Sequence, residues 1–167
     1  MRVYIPATLS MLGTLVKTGE LAAVGGTAFA LTPSLRESYA TGDTEELEYA
    51  AMAEAALASL RLLATELEAD PDVLPRRAVV AADVGGVTPR PDLDAAVVRL
   101  AGPVLMSQVA AVHVDGEAAE QAVRAAALVI EEADLGDADA EFTVGDAEDH
   151  ELAWYAPQEL PFLLELM

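Results

Sequence analysis

The sequence predicts an α/β (α+β) fold in which a single domain, residues 1–167, holds a mixed sheet of about five strands packed by helices, with a helical elbow at the C-terminus. Two observations predict it. Short segments rich in β-branched residues alternate with segments whose apolar residues recur at helical spacing. The chain also has no cysteine, so its stability must come from a packed core, and 167 residues are enough to bury one.

The first part of the chain predicts alternating strands and helices. Residues 2–6 have the aromatic and β-branched content of a strand. Leucines at helical spacing then continue towards Gly19, which suits the left-handed residue after a helix. Residues 27–31 form the next strand candidate. Thr32 and Pro33 suit the N-cap and first position of a short helix that follows it.

The longest helix is predicted over residues 43–70, a stretch that contains no glycine or proline. Asp43 and Glu46 have the spacing of a capping box at its start. Apolar side chains at alternating spacings of four and three predict one buried stripe, which we expect to pack on the sheet rather than in a coiled coil. The predicted stripe comprises Tyr49, Ala53, Ala56, Leu60, Leu63 and Leu67.

The middle of the chain predicts three further strands. Residues 77–84 and 95–100 flank a connection that contains glycine and proline, and we expect them to pair as a long-looped hairpin. Residues 110–114 form another strand, in which His113 faces away from its valine neighbours. A lone histidine on a strand is usually structural. Asp115 is the expected N-cap of the helix that follows.

The C-terminal part of the chain is dense in acidic residues. Residues 142–144 predict a short edge strand, and Asp146 predicts the cap of a helix that runs through Tyr155. A calcium loop is not expected, because Phe142 stands where the sharp turn of such a loop needs glycine. We expect an ordinary solvated loop instead, and we predict no metal ion and no cofactor.

The formal net charge of −20, from 29 acidic and 9 basic residues, restricts the partners of this protein. Such a surface repels phosphate, so neither nucleic acid nor an anionic membrane is an expected partner. A basic protein partner would be attracted electrostatically, and salt would screen that attraction and shorten its range. The simpler interpretation is that the acidity keeps the protein soluble or reflects a salt-rich host.

The expected location is the cytoplasm. Cysteine is absent, and the longest apolar stretch, residues 21–31, is too short to cross a bilayer. We do not expect a cleaved signal peptide either. Lys17 and Glu20 lie between the apolar N-terminal region and the small residues that resemble a cleavage site.

The candidate binding residues cluster around His150, whose imidazole stands beside Glu151 among other carboxylates. On a helix, Trp154 would share a face with His150, and Tyr155 would share one with Glu151. Arg36, on the short helix, is the remaining candidate, either as a substrate-orienting group or as an ion-pair partner. Phosphate-loop, nucleophile-elbow and zinc-protease motifs are absent, so nucleotide-dependent and serine-hydrolase chemistry is not expected.

Four segments carry a resemblance to a known family. They are MRVYIPAT at residues 1–8, TPSLR at 32–36, EELEYA at 45–50 and EDHELAWY at 148–155. Together they resemble an uncharacterised family of small actinobacterial proteins, over nearly the whole chain. The resemblance implies no activity and no functional residue.

Two classes of function stay open. The first is a non-enzymatic acidic interaction module that forms a homodimer through its apolar end, residues 161–167, although burial of that end in the protein's own core is the simpler interpretation. The alternative is a small-molecule or metal-binding enzyme with a site at His150 and Glu151, and with Arg36 or Tyr155 orienting the substrate. A closed pocket around His150 would favour the enzyme, and an acidic face with an exposed aromatic patch would favour the module.

Overall fold

The alternation of strand-forming and helix-forming segments gives an α+β fold, which confirms the predicted class. The computed structural model describes residues 1–167 and contains six α-helices and nine strands. The helices are α1 (Leu9–Thr18), α2 (Pro33–Ser38), α3 (Thr44–Ala69), α4 (Glu120–Asp134), α5 (Ala138–Glu148) and α6 (Leu160–Glu165). The strands are β1 (Arg2–Ala7), β2 (Glu20–Leu21), β3 (Thr27–Phe29), β4 (Ala78–Asp83), β5 (Thr88–Pro89), β6 (Val97–Arg99), β7 (Val104–Leu105), β8 (Val109–Val114) and β9 (Ala153–Tyr155).

Seven of the strands form one sheet in the order β5-β6-β3-β1-β4-β8-β9, and every neighbouring pair is antiparallel. The remaining two, β2 and β7, form a small separate sheet. The expected hairpin between residues 77–84 and 95–100 is wrong. The first segment, β4, lies between β1 and β8, whereas β6 pairs with β3 and β5. Because long segments of chain connect these strands, local sequence patterns do not show which strands are neighbours in the sheet.

The two faces of the sheet build separate parts of the core. On one face Val3 and Ile5 of β1 join α1 and Leu160 of α6 in the largest buried cluster. On the other face Tyr4 and Val79 lie under α3 with its buried alanines. This division follows the period of two along each strand, since successive side chains point to opposite faces. None of the six helices is long and apolar enough to span a membrane.

Helix α3 begins as predicted, because the Asp43 side chain accepts a hydrogen bond of 2.9 Å from the backbone N–H of Glu46. Its buried face is rotated from the predicted stripe over the first half. Tyr49 and Ala53 are exposed, and the buried residues there are Leu47 and Ala51. The many alanines of this helix make two neighbouring faces equally apolar, so the apolar period alone does not fix which one meets the sheet.

A buried hydroxyl fastens α3 to the sheet. Ser59 Oγ donates to the carbonyl oxygen of Ala7 at 2.7 Å and accepts from the backbone N–H of Ala78 at 3.0 Å. The Ser59 side chain therefore bridges β1 and β4 from the helix, and because the residue is completely buried, its loss would take away the partner of two buried backbone groups.

The acidic C-terminal part differs from its prediction. Residues 142–144, expected as a strand, lie inside α5, whose N-cap Asp137 accepts a 2.9 Å hydrogen bond from the N–H of Ala140. The helix expected to run through Tyr155 stops at Glu148, and the chain continues into strand β9. Pairing with β8 overrides the helical preference of this segment. The predicted C-terminal elbow is present as α6.

Candidate functional site

A groove runs between α3 and the β8–β9 end of the sheet. Two adjoining cavities of about 420 and 300 Å³ form it, and both are lined by Tyr49, Met52, His113 and Trp154. We call it the α3–β9 groove. The larger cavity also includes Ala53, Ala56, Leu57, Arg77, Glu148, His150, Glu151 and Leu152. The smaller one also includes Arg2, Tyr4, Glu45, Glu48, Ala81 and Ala111.

The pairing of β8 with β9 decides which side chains reach the groove. His113 lies directly opposite Trp154, and Val112 lies opposite Tyr155. Because side chains alternate between faces, His113 and Trp154 share the face covered by α3. Val112 and Tyr155 belong to the core on the other face.

The groove exposes two large aromatic side chains. Trp154, the only tryptophan of the chain, is 61% exposed, and Tyr49 is 55% exposed. Neither ring therefore contributes its full area to the protein's own core. Their faces carry a negative quadrupole, which attracts cations such as ammonium and guanidinium groups.

A buried ion pair lies at one end of the groove. Arg77 donates from Nε to Asp115 Oδ2 and from Nη2 to Asp115 Oδ1, both at 2.8 Å. The backbone N–H of Arg77 also donates to Asp115 Oδ2, and Nη2 donates to the carbonyl oxygen of His150. Both residues of the pair are buried. Arg77 thus fixes the backbone of His150 just before β9.

Asp115 was expected to be an N-cap, and that expectation is wrong. Its carboxylate is engaged by Arg77, and α4 begins only at Glu120, after a 3-10 turn over Glu117–Ala119. The three hydrogen bonds that Asp115 accepts from the guanidinium and backbone amide of Arg77 outweigh the single bond that a cap would supply.

The charge of the groove is negative. Glu45 and Glu48 line the smaller cavity, Glu148 and Glu151 line the larger one, and none of the four forms an ion pair. The two guanidinium groups of the lining are both neutralised. Arg77 is paired with Asp115, and Arg2 donates to both oxygens of Asp83 at 2.7 and 3.1 Å.

Burial is the main cause of the pKa shifts of two groups near the groove. Burial raises the pKa of Glu54 above its ordinary value, and the charges of Asp94 and Glu148 raise it further against the opposing effect of Arg61. Burial, and then the charge of Arg2, lower the pKa of His113. His113 is therefore neutral at pH 7 and adds no positive charge to the groove.

Three of the five predicted binding residues meet here. His150, Glu151 and Trp154 line the larger cavity. Tyr155 does not, because it lies on the opposite face of β9 and packs against the core. Arg36 is exposed on α2, where its Nη2 donates to Thr44 Oγ1 at 3.4 Å, and it forms no ion pair.

Sequence reasoning missed three residues of the groove. Tyr49 was assigned to the core stripe of α3, His113 was considered structural, and Arg77 was assigned only to a buried strand. The alternation of β8 did place His113 on a separate face. A strand prediction at Trp154, in place of the helix, would have allowed His113 and Trp154 to be placed opposite each other.

Two further observations argue against a site elsewhere in the structure. No group of three or more histidine, aspartate or glutamate side chains converges closely enough to hold a metal ion. A larger cavity of about 650 Å³ lies between α3 and α4, but it contains neither an aromatic nor a histidine side chain. Its guanidinium groups are engaged, Arg61 by Asp134 and Arg124 by the carbonyl oxygen of Pro71. We therefore place the candidate site in the α3–β9 groove.

Comparison with known proteins identifies a family whose function is unknown. A family model described as "Family of unknown function (DUF6912)" matches residues 1–164. This match confirms the resemblance to an uncharacterised family. No curated protein and no solved structure matches the chain.

Proposed function

We propose, on the premise that this chain belongs to the DUF6912 family of unknown function, that it is a cytoplasmic, non-enzymatic interaction module that binds a positively charged segment of a partner protein. The α3–β9 groove is the binding surface. The observation that carries the proposal is the combination of two exposed aromatic rings, Tyr49 and Trp154, with unpaired carboxylates in one groove.

The aromatic rings and the carboxylates suit the same kind of ligand. A lysine or arginine side chain presents a long apolar stem and a charged end. The stem can lie along Met52, Leu57 and Leu152, while the charged end meets the ring faces and the carboxylates. The groove offers no free cation that would repel such a ligand, because Arg2 and Arg77 are both paired.

The net charge supports the proposal at longer range. A charge of −20 attracts a basic partner before contact and accelerates its association at low salt. The acidity alone says little about binding, since it also keeps a protein soluble. The aromatic rings distinguish a binding surface from a merely solvated one, because exposed aromatic residues are enriched in binding energy at interfaces.

The first experiment uses three labelled heptapeptides with blocked ends. One alternates lysine and valine, the second has the same composition with its valines together, and the third replaces every lysine of the first by glutamate. Binding is measured by fluorescence polarisation at low and physiological salt. We expect both lysine peptides to bind and the glutamate peptide not to bind. Affinity should fall as salt rises, because the Debye length shortens from about 30 Å at 0.01 M to about 8 Å at 0.15 M.

Variants locate the binding. Trp154→Ala and Tyr49→Ala should each weaken binding of the lysine peptides about tenfold or more. Phe142→Ala is the matched control, since Phe142 is an aromatic residue on α5 that is also exposed, at 73%, and does not line the groove. Binding that is equal for the lysine and glutamate peptides, or equal losses in all three variants, would overturn the proposal.

The size of the larger cavity favours a second candidate function. Its volume of about 420 Å³ lies in the range of small-molecule pockets. A small-molecule-binding enzyme would use His150 and Glu151 at this cavity. Its test is a thermal-shift screen with metals, nucleotides and metabolites, in which a stabilising ligand loses its effect in His150→Ala while the melting temperature of the free variant is unchanged.

A homodimer stays a prediction of the sequence. Leu160 is buried in the protein's own core, and Leu163, Leu164 and Met167 pack against it. Two residues at this end, Phe162 and Leu166, are exposed. Sedimentation at physiological salt tests the dimer, and Phe162→Ser should convert it to a monomer.

A further inference from the structure

Strand β9 leaves one edge of the seven-stranded sheet open. It is the last strand in the sheet order and pairs only with β8. The opposite edge is β5, which consists of Thr88 and Pro89, and the proline has no N–H to offer to another strand. The two edges therefore differ in their ability to pair with an added chain.

The backbone of β9 has hydrogen-bonding capacity that the protein does not use. In an antiparallel pair, alternate residues direct their N–H and C=O groups away from the partner strand. Beyond their pairing with β8, the backbone groups of Ala153, Trp154 and Tyr155 make no hydrogen bond. The first backbone N–H after β9, that of Ala156, is satisfied by the Glu159 side chain at 3.0 Å.

The two faces of β9 would favour different side chains on a neighbouring strand. Trp154 faces the α3–β9 groove, whose carboxylates at this end are Glu148 and Glu151. Tyr155 faces the other way and packs with the apolar residues of the core cluster. Since side chains alternate along a strand, a strand beside β9 would carry basic residues on the groove side and apolar residues on the other.

We propose that the edge of β9 accepts an extended segment of the partner protein as an eighth strand, with basic and apolar residues in alternation. The inference rests on the proposed function and adds to it the conformation and the pattern of the bound segment. Backbone hydrogen bonds to β9 hold the segment, and the groove selects its basic side chains.

Charge complementarity favours a basic partner over a second copy of this chain at this edge. Two copies would each carry a net charge of −20, and their carboxylates around β9 would meet. A lysine-rich segment removes that repulsion. With only three residues, β9 offers few backbone hydrogen bonds, so the groove must contribute a large part of the selectivity.

The pattern is tested with the two lysine peptides described above and with singly N-methylated versions of the alternating peptide. Each N-methyl group removes one backbone donor. We expect the alternating peptide to bind at least fivefold more tightly than the peptide with its valines together. N-methylation should weaken binding at every second position and have little effect between them, because only alternate amides face β9.

Amide hydrogen exchange, followed by NMR, locates the contact on the protein. Those amides of Ala153, Trp154 and Tyr155 that point away from β8 should exchange at least fivefold more slowly when the alternating peptide is bound. The amide of Thr88 on the opposite edge is the control and should not change.

The outcomes separate the two proposals. If the lysine peptides bind and Trp154→Ala weakens them, but no amide of β9 gains protection and N-methylation shows no alternation, strand addition is wrong and the proposed function stands. If neither lysine peptide binds, both are wrong. Protection at β9 together with alternating sensitivity to N-methylation supports both.

Discussion

His113 and Trp154 lie directly opposite each other in the antiparallel pair of β8 and β9, and both side chains face the α3–β9 groove. Side chains opposite each other across such a pair have Cβ atoms about 4.5–5.5 Å apart. The imidazole is therefore a close neighbour of the only indole in the protein. Each of the two residues can report on the state of the other.

This neighbour relation makes the fluorescence of Trp154 a measure of His113 protonation. A protonated imidazole quenches a nearby indole, and burial lowers the pKa of His113 below its ordinary value of 6.5. We expect the fluorescence to fall on acidification with a midpoint below pH 6.5. The transition should disappear in His113→Gln. His150→Gln should retain it, and a transition lost only in that variant would contradict the assignment.

The same lowered pKa predicts how stability depends on pH. The folded protein disfavours protonated His113, whereas the unfolded chain accepts the proton at about pH 6.5. The contribution of His113 to the free energy of unfolding is therefore fully present above pH 6.5 and is lost as the pH falls through and below that value. Urea unfolding at pH 7.5 and 5.5 measures the loss. His113→Gln should show a smaller loss over this interval than the parent protein, and an equal loss would contradict the prediction.

The buried pair of Arg77 and Asp115 predicts a large effect of a small substitution. Asp115→Asn leaves the Arg77 guanidinium charged and buried without an anion. We expect the free energy of unfolding to fall by about 3–5 kcal/mol. Urea unfolding measures it, and a loss below about 1 kcal/mol would contradict it. Asp92→Asn is the control, because its ion pair with Arg90 is exposed, and it should leave stability nearly unchanged.

Relief of the burial of, and repulsion on, the Glu54 carboxylate predicts a stabilising substitution. The pKa of Glu54 is raised by burial and by Asp94 and Glu148, so its charge is unfavourable at pH 7. Glu54→Gln should increase the free energy of unfolding, by less than about 1 kcal/mol because solvent screens the charges. The gain should shrink in 1 M salt, where the Debye length is about 3 Å. An unchanged gain at high salt would show that repulsion from Asp94 and Glu148 is not its cause.

The sequence predicted best the elements whose ends are chemically marked. Thr32 and Asp43 cap α2 and α3 as expected, and Gly19 ends α1 with a φ of 76°. These signals are local, because the residues next to each helix end decide where the helix begins or stops. The order of the strands is not local. The pairing of β4 with β1 and β8 joins segments far apart in the sequence, and no pattern within either segment specifies its neighbour.

Only part of the candidate site could be predicted, because local sequence patterns do not show which distant elements meet. His150, Glu151 and Trp154 are close in sequence, and they do line one cavity. Tyr49 and His113 reach it from distant elements, through the rotation of α3 and the register of β8. The binding role of all these residues stays a prediction until a ligand is measured.

The position of β9 in the sheet determines when during translation the binding surface comes into being. The central strand β1 leaves the ribosome first, yet the wall of the groove containing Trp154 is added only when β9, the last strand made, pairs with β8. Until then β8 is itself the edge of the nascent sheet, and its free backbone groups are available to other chains. Recognition through this groove therefore requires the segment from residue 153 onwards, and a chain stopped before it would lack both this wall of the groove and the buried Leu160 of α6.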